Sequence, residues 1–291
     1  MSKSRQQSQS IPKKSFELPK YITNTVQVLE FFSYRLALKF VLKLFFSPIR
    51  FRRPKREEEI YASANKQILK NKLGHDFELM IWGDKNSKSI LLVHGWSGRG
   101  TQFHQVIESL LKDNWRVISF DAPVHSNSKL KSSNLLEFTY CCLEICQKFG
   151  PLEHAIGHSL GGGALFNALD RGADFKSIVC IGTPATIPMV VEDFALKVKA
   201  SPKIAKGILK TIERNFEINV EEISSNVLAH KHQPKGLIIH DMEDLDVAVE
   251  NAFILKKSWT NAELLISTGY GHRKIINHPD SVKKIQEFLN S

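Results

Sequence analysis

The chain has 291 residues, 42% hydrophobic and 24% charged, which is room for one large domain or two small ones and too much apolar surface for a disordered chain. Its formal charge of +10 is uneven, because residues 1–60 hold 13 Lys or Arg against 5 Glu, a balance of +8 that leaves +2 for the other 231 residues. The main body is therefore not basic enough to suggest a nucleic-acid partner, and it carries no zinc-finger, RNP or Walker pattern.

Residues 1–20 are polar and basic and are expected to be disordered. The first apolar stretch begins too late for a signal peptide and lacks a small-residue cleavage site, so a cytoplasmic protein is expected. Residues 25–46 predict one helix. Glu30, Arg35, Lys39 and Lys43 interrupt it, which argues against a membrane span. Arg35, Lys39 and Lys43 fall in a strip of about 80°, leaving a broad side of Leu, Phe and Val. Two covers for that side stand open: the main domain, with the charges as a solvated face, or the inner membrane surface, touched peripherally by residues 25–56. Pro48, Pro54 and the cluster RFRRPKREEE suggest a linker, so residues 21–74 are expected to be a helix and a basic linker preceding a domain at 75–291.

Within 75–291, short apolar runs alternate with longer helical segments. FELMIW (77–82), SILLVHG (89–95), WRVISFDAP (115–123), HAIGHS (154–159), KSIVCIGTP (176–184), KGLIIHD (235–241) and AELLIST (262–268) predict strands. Helices are expected near 102–113, 134–149, 160–171, 247–258 and 280–290. The alternation implies an α/β fold, a mostly parallel sheet with helices on both faces and reactive groups at the strand carboxyl ends. Residues 185–234 break the rhythm and read as a crossover with an inserted helical lid, apolar at Ile187, Val190, Val191 and Phe194. The four cysteines (141, 142, 146 and 180) form no CxxC pair and read as free thiols, with no metal site implied.

The sharpest chemical signal is Gly157-His158-Ser159-Leu160-Gly161-Gly162, set between a predicted strand and a predicted helix. Gly157 and Gly161 let the two elements pack closely around the turn, which presents the Ser159 hydroxyl at a helix N-terminus. A serine nucleophile needs a base and an orienting acid. His272 follows the last predicted strand through a glycine-containing turn and is the candidate base, whereas His75, His230, His232 and His278 have no such setting. HDMEDLDVAVENA offers Asp241, Glu243, Asp244 and Asp246. Asp244, in mid-loop, is favoured as the acid, with the others as strand-ending or helix-capping alternatives. Val93-His94-Gly95-Trp96 ends another strand. There the Trp96 N–H, with the Leu160 N–H, would serve an oxyanion, while His94 and Gly95 shape the turn.

Together these residues resemble the α/β-hydrolase superfamily over about 75–291, in the order Ser…Asp…His and in the His-Gly turn. DAPVHSNS resembles the family's DxPGHGxS loop, with Val124 and Ser126 replacing glycines. The acid loop resembles HGxxDxxVP and maps its aspartate to Asp244, with Asp241 replacing a glycine and Ala248 a proline. HGWSGRGTQF, GHSLGGG and GYGHRKII resemble a bacterial subgroup. The resemblance implies a serine hydrolase that cleaves a small-molecule carboxylic ester or thioester through an acyl-enzyme, without metal or organic cofactor. An amidase, peptidase or acyltransferase would use the same residues. From another class, a non-catalytic binding protein would keep the fold alone.

Overall fold

Eight strands form one sheet: β1 (Asn65–Lys70), β2 (Asp76–Trp82), β3 (Ser89–Val93), β4 (Arg116–Asp121), β5 (Leu152–His158), β6 (Phe175–Ile181), β7 (Lys235–Asp241) and β8 (Ala262–Ser267). The spatial order is β1-β2-β4-β3-β5-β6-β7-β8, with β2 antiparallel to both neighbours and all other pairs parallel. This computed structural model describes residues 19–125 and 130–291. The expected disorder of the N-terminus falls mostly outside those residues, as does Ser126.

Among the described residues twelve α-helices accompany the sheet. They are α1 (Lys20–Phe32), α2 (Tyr34–Phe45), α3 (Lys55–Ser63), α4 (His104–Lys112), α5 (Leu135–Phe149), α6 (Leu160–Asp170), α7 (Ile187–Lys197), α8 (Pro202–Phe216), α9 (Ser225–His232), α10 (Glu250–Ser258), α11 (Gly271–Lys274) and α12 (Pro279–Leu289). One face of the sheet is covered by α5, α6, α9 and α10, whose Phe138, Leu165, Leu228 and Leu255 pack on Leu91 and Val93 of β3 among others. On the other face, Ile60 of α3, Ile107 of α4 and Phe288 of α12 pack with Ile90 and Leu92. β3 is buried throughout, which explains its unbroken apolar run SILLV.

A third core lies off the sheet. Val26 of α1 and Ala37 and Val41 of α2 are buried with Val191 and Ala195 of α7 and Ile204 and Ile208 of α8. The Phe45 and Phe194 rings meet edge to face, with centroids 5.1 Å apart. Glu30 accepts from the Ser201 backbone N–H at 3.1 Å and from the Ser201 hydroxyl, tying α1 to the start of α8. The N-terminal arm is thus packed on the inserted segment.

Three sequence expectations are corrected here. The single helix over 25–46 is two, because Ser33 is extended (φ −159°) and its hydroxyl accepts from Leu36 N–H at the start of α2. The basic cluster is a linker only as far as Pro54: Lys55–Ser63 form α3, followed by the edge strand β1. Of the inserted segment, α7 and α8 carry the third core, whereas α9 returns to the sheet-covering layer. Among the described residues no helix is long and apolar enough to cross a membrane.

Candidate active site

The parallel register aligns five strand ends along one edge. Val93 pairs with Gly157, His158 with Ile181, Ile181 with Ile239, and Asp241 with Ser267. Trp96, Ser159, Gly182, Asp244 and His272 all follow from that edge, so residues far apart in sequence become neighbours.

Ser159 stands between β5 and α6 with φ 52° and ψ −121°, a conformation that L-residues rarely adopt. The glycines around it permit the turn. A Cβ on Gly157 would sit 2.5 Å from Gly162 N, and one on Gly161 would collide with the Val93 carbonyl oxygen. Gly95 is as close from the other side, since a Cβ there would lie 2.9 Å from Ser159 Cβ. The His94–Trp96 turn therefore abuts the serine. The Trp96 N–H has no acceptor among the described residues. The Leu160 N–H opens α6, where the helix backbone supplies none.

His272 Nδ1–H donates to Asp244 Oδ2 at 2.7 Å. The other Asp244 oxygen accepts from the Asp246 and Val247 N–H groups at 2.9 and 2.8 Å, which fixes the carboxylate. Burial pushes this carboxyl's pKa up, but the His240 ring facing it at 3.4 Å, the hydrogen bond and charge of His272 and the Val247 N–H outweigh it. Asp244 is held well below the usual carboxylate range. Of the rival carboxylates, Asp246 lies toward Lys197, 3.6 Å away. Asp241 has other work: it accepts from Ser267 Oγ (2.6 Å) and from the N–H groups of Glu243 (3.0 Å), Tyr270 (3.2 Å) and Gly271 (3.0 Å). It thereby holds the loop that carries His272. Burial works against its ionisation too, and the same four donors prevail, leaving its pKa lowered.

His94 is fully buried and braces the His94–Trp96 turn. Its Nδ1–H donates to the Gly95 carbonyl (2.8 Å), and its Nε2 accepts from Ala122 N–H (3.0 Å) at the end of β4. Burial, then the neighbouring His125, keeps it neutral, with a pKa well below that of free histidine. Two histidines escaped the sequence reading. His158 Nε2–H donates to the His272 carbonyl at 2.9 Å, its Nδ1 accepts from Gln102 Nε2 at 3.1 Å, and its ring lies 4.6 Å from that of His272. His240 Nε2–H donates to the Val247 carbonyl (2.8 Å) and faces Asp244 Oδ2 at 3.4 Å. The only sequence signal for either was its place beside a motif residue. Val124, where the related loop has glycine, is buried at φ 75°, a strained setting for a β-branched side chain.

Ser159, Leu160, Trp96 and His272 open onto a cavity of about 660 Å³. Its walls come from the arm (Phe45, Phe46, Phe51) and from the inserted helices (Ile187, Phe194, Phe216).

The description "alpha/beta hydrolase fold" matches residues 88–265, more than half of the chain. The chain belongs to the alpha/beta hydrolase fold family. A serine hydrolase-like protein of Danio rerio is 27% identical over 120 residues, 39% of this chain, and the match spans 36% of that relative's length. An esterase of Pyrococcus furiosus superposes with a TM-score of 0.63 at 18% identity, covering 84% of this chain and 96% of its own. A membrane phospholipase A superposes with a TM-score of 0.60 at 14% identity, covering 93% and 98%. At such identities the two structures speak for the fold.

Proposed function

We propose that this α/β hydrolase cleaves a carboxylic ester or thioester through an acyl-enzyme on Ser159. The observation that carries the reading is that His272, held by Asp244 at 2.7 Å, opens with the strained Ser159 onto one largely apolar cavity. With Nδ1–H held by Asp244, His272 keeps Nε2 for the serine proton. Ser159 Oγ attacks the acyl carbon as His272 takes its proton, and the Trp96 and Leu160 N–H groups receive the charge on the carbonyl oxygen. His272 then returns the proton to the departing alcohol or thiol. Water, activated by the same imidazole, releases the acid. The esterase and phospholipase relatives by fold support an ester as the bond, and so does a cavity whose walls are aromatic and aliphatic. The test is reaction with a fluorophosphonate probe together with hydrolysis of p-nitrophenyl esters. Ser159→Ala should abolish both while the thermal midpoint stays near that of the parent, and full activity in that variant would refute the reading.

The outer face of the arm belongs to the same proposal. Phe31 and Phe32 are 84% and 78% exposed, beside exposed Tyr21, Val28 and Leu36 and the cations Arg35, Lys39 and Lys43. An apolar patch rimmed by positive charge suits the surface of an anionic bilayer.

A further inference from the structure

The cavity is apolar within and cationic at its mouth. Segment 49–57 crosses the strand-end edge between the two loops that flank Ser159. Ile49 N–H donates to Ser97 Oγ at 2.9 Å, Arg99 donates to the Phe51 carbonyl at 3.1 Å, and the Arg273 guanidinium stands 5.8 Å from the Phe51 ring. This crossing sets Arg52 and Arg56 on the cavity rim with Arg273, the neighbour of His272.

Four of the other charges lining the cavity are paired. Arg99 pairs with Glu57 at 3.4 Å and Lys197 with Asp246 at 3.6 Å. Asp193, on the inserted helices, is the remaining carboxylate, and burial raises its pKa. Arg52 and Arg56 form no ion pair or hydrogen bond among the described residues, and Arg273 has no ion pair or hydrogen bond there either, meeting the Phe51 ring and lying near His158. Three exposed guanidiniums around the entrance to an apolar chamber leave a positive site without a counterion. Guanidinium forks match phosphate oxygens, often two at a time.

We infer that the substrate is an acyl ester or thioester whose alcohol or thiol side carries phosphate, held by Arg52, Arg56 and Arg273 while the acyl chain lies between the arm and the inserted helices. The inference rests on the hydrolase reading and adds the chemistry of the leaving group. Two sources share that chemistry: a lysophosphatidic acid, and an acyl-coenzyme A.

Matched pairs separate charge from chain length. 1-Octanoylglycerol 3-phosphate is compared with 1-octanoylglycerol, and octanoyl-coenzyme A with octanoyl N-acetylcysteamine, all on the full chain. The phosphate-bearing member of at least one pair should have a kcat/KM tenfold or more above its neutral partner, with the gain in KM and eroded by salt. The responding pair identifies the source. R52Q/R56Q should lower kcat/KM for that phosphate-bearing substrate about tenfold more than for its neutral partner. Equal kcat/KM within both pairs overturns the inference while leaving the triad reading intact. Calorimetric titration of the S159A protein with the same four compounds reads recognition without hydrolysis. Preferential binding of a phosphate-bearing member there, with no turnover by the parent, would keep the cationic mouth and remove the hydrolase reading. No preference in binding or in turnover would remove the mouth.

Discussion

At the scale of single residues, the site is two tiers of hydrogen bonds. Asp244 holds His272, and Asp241 holds the loop from which His272 projects. Asp244→Asn should reduce kcat by about 10⁴-fold, the scale of losing the carboxylate that sets the histidine tautomer. Asp241→Asn keeps an acceptor but loses the charge behind four hydrogen bonds. It should cost about 1–3 kcal/mol of stability, read as a lower denaturant midpoint, with a far smaller fall in kcat. A severe catalytic loss in Asp241→Asn would mean that the acid had moved to the position where related loops carry glycine. The buried histidines give a pH prediction with a definite sign. His94 and His158 have folded-state pKa values depressed by burial, so below about 6.5 the unfolded chain binds protons that the folded protein refuses. Their contribution is intact above that pH and is lost as the pH falls below it. The denaturant midpoint should drop between pH 7.5 and 5, and His94→Gln, which can still donate and accept, should flatten the profile. These residues also mark what the sequence made legible. Ser159 and His272 stood at readable places, after strands and near glycines, and Asp244 in the loop that follows β7. The work of His158 and Asp241 was hidden, because it consists largely of bonds to the Ser267 hydroxyl and to backbone groups 29–114 residues away.

At the scale of elements, β2 to β8 were all legible from their short apolar runs, most plainly β3 and β6, which are buried almost throughout. β1 left no such mark: only Leu69 of its NKQILK is buried, as befits an edge. Helix α3 was read as a linker because its charges look like a solvated run. In place, Glu57 is buried and accepts from Thr101 Oγ1 (2.8 Å), while Arg53, just before the helix, pairs with Asp121 at 3.2 Å. Those contacts span more than 40 residues, beyond the reach of periodicity. The third core is the element-scale counterpart, in which α2 and α8 each bury an apolar stripe that neither covers alone. Ile208, fully buried in it, does not line the cavity. Ile208→Ala should destabilise the protein by about 2–5 kcal/mol, measured by chemical denaturation. Because the arm and α7–α8 wall the cavity together, the same variant should also lower the ratio of long-chain to short-chain p-nitrophenyl ester hydrolysis. An unchanged ratio in the destabilised protein would show that the chamber does not select the acyl chain.

For the whole molecule, the two covers that the sequence left open for the arm divide between its faces. The inner face, with Val26, Ala37 and Val41, belongs to the third core, and Phe45 and Phe46 help to wall the cavity. The outer face keeps Phe31, Phe32 and three cations in solvent, and it is this face that the proposal sets on a bilayer. Basic side chains at an anionic surface contribute about 1 kcal/mol each, so Arg35, Lys39 and Lys43 alone give a weak, salt-sensitive attachment that two inserted phenylalanines would strengthen. The full chain should co-sediment with phosphatidylglycerol vesicles at low salt, release as salt is raised, and ignore vesicles of phosphatidylcholine. Phe31→Ser with Phe32→Ser should cut the bound fraction several-fold without moving the thermal midpoint, because neither ring is buried. Deleting residues 1–56 should abolish vesicle binding and also lower the midpoint, because it strips the third core and the Arg53–Asp121 pair. Failure of the full chain to bind anionic vesicles at low salt would leave the arm with its place in the third core and the cavity wall alone.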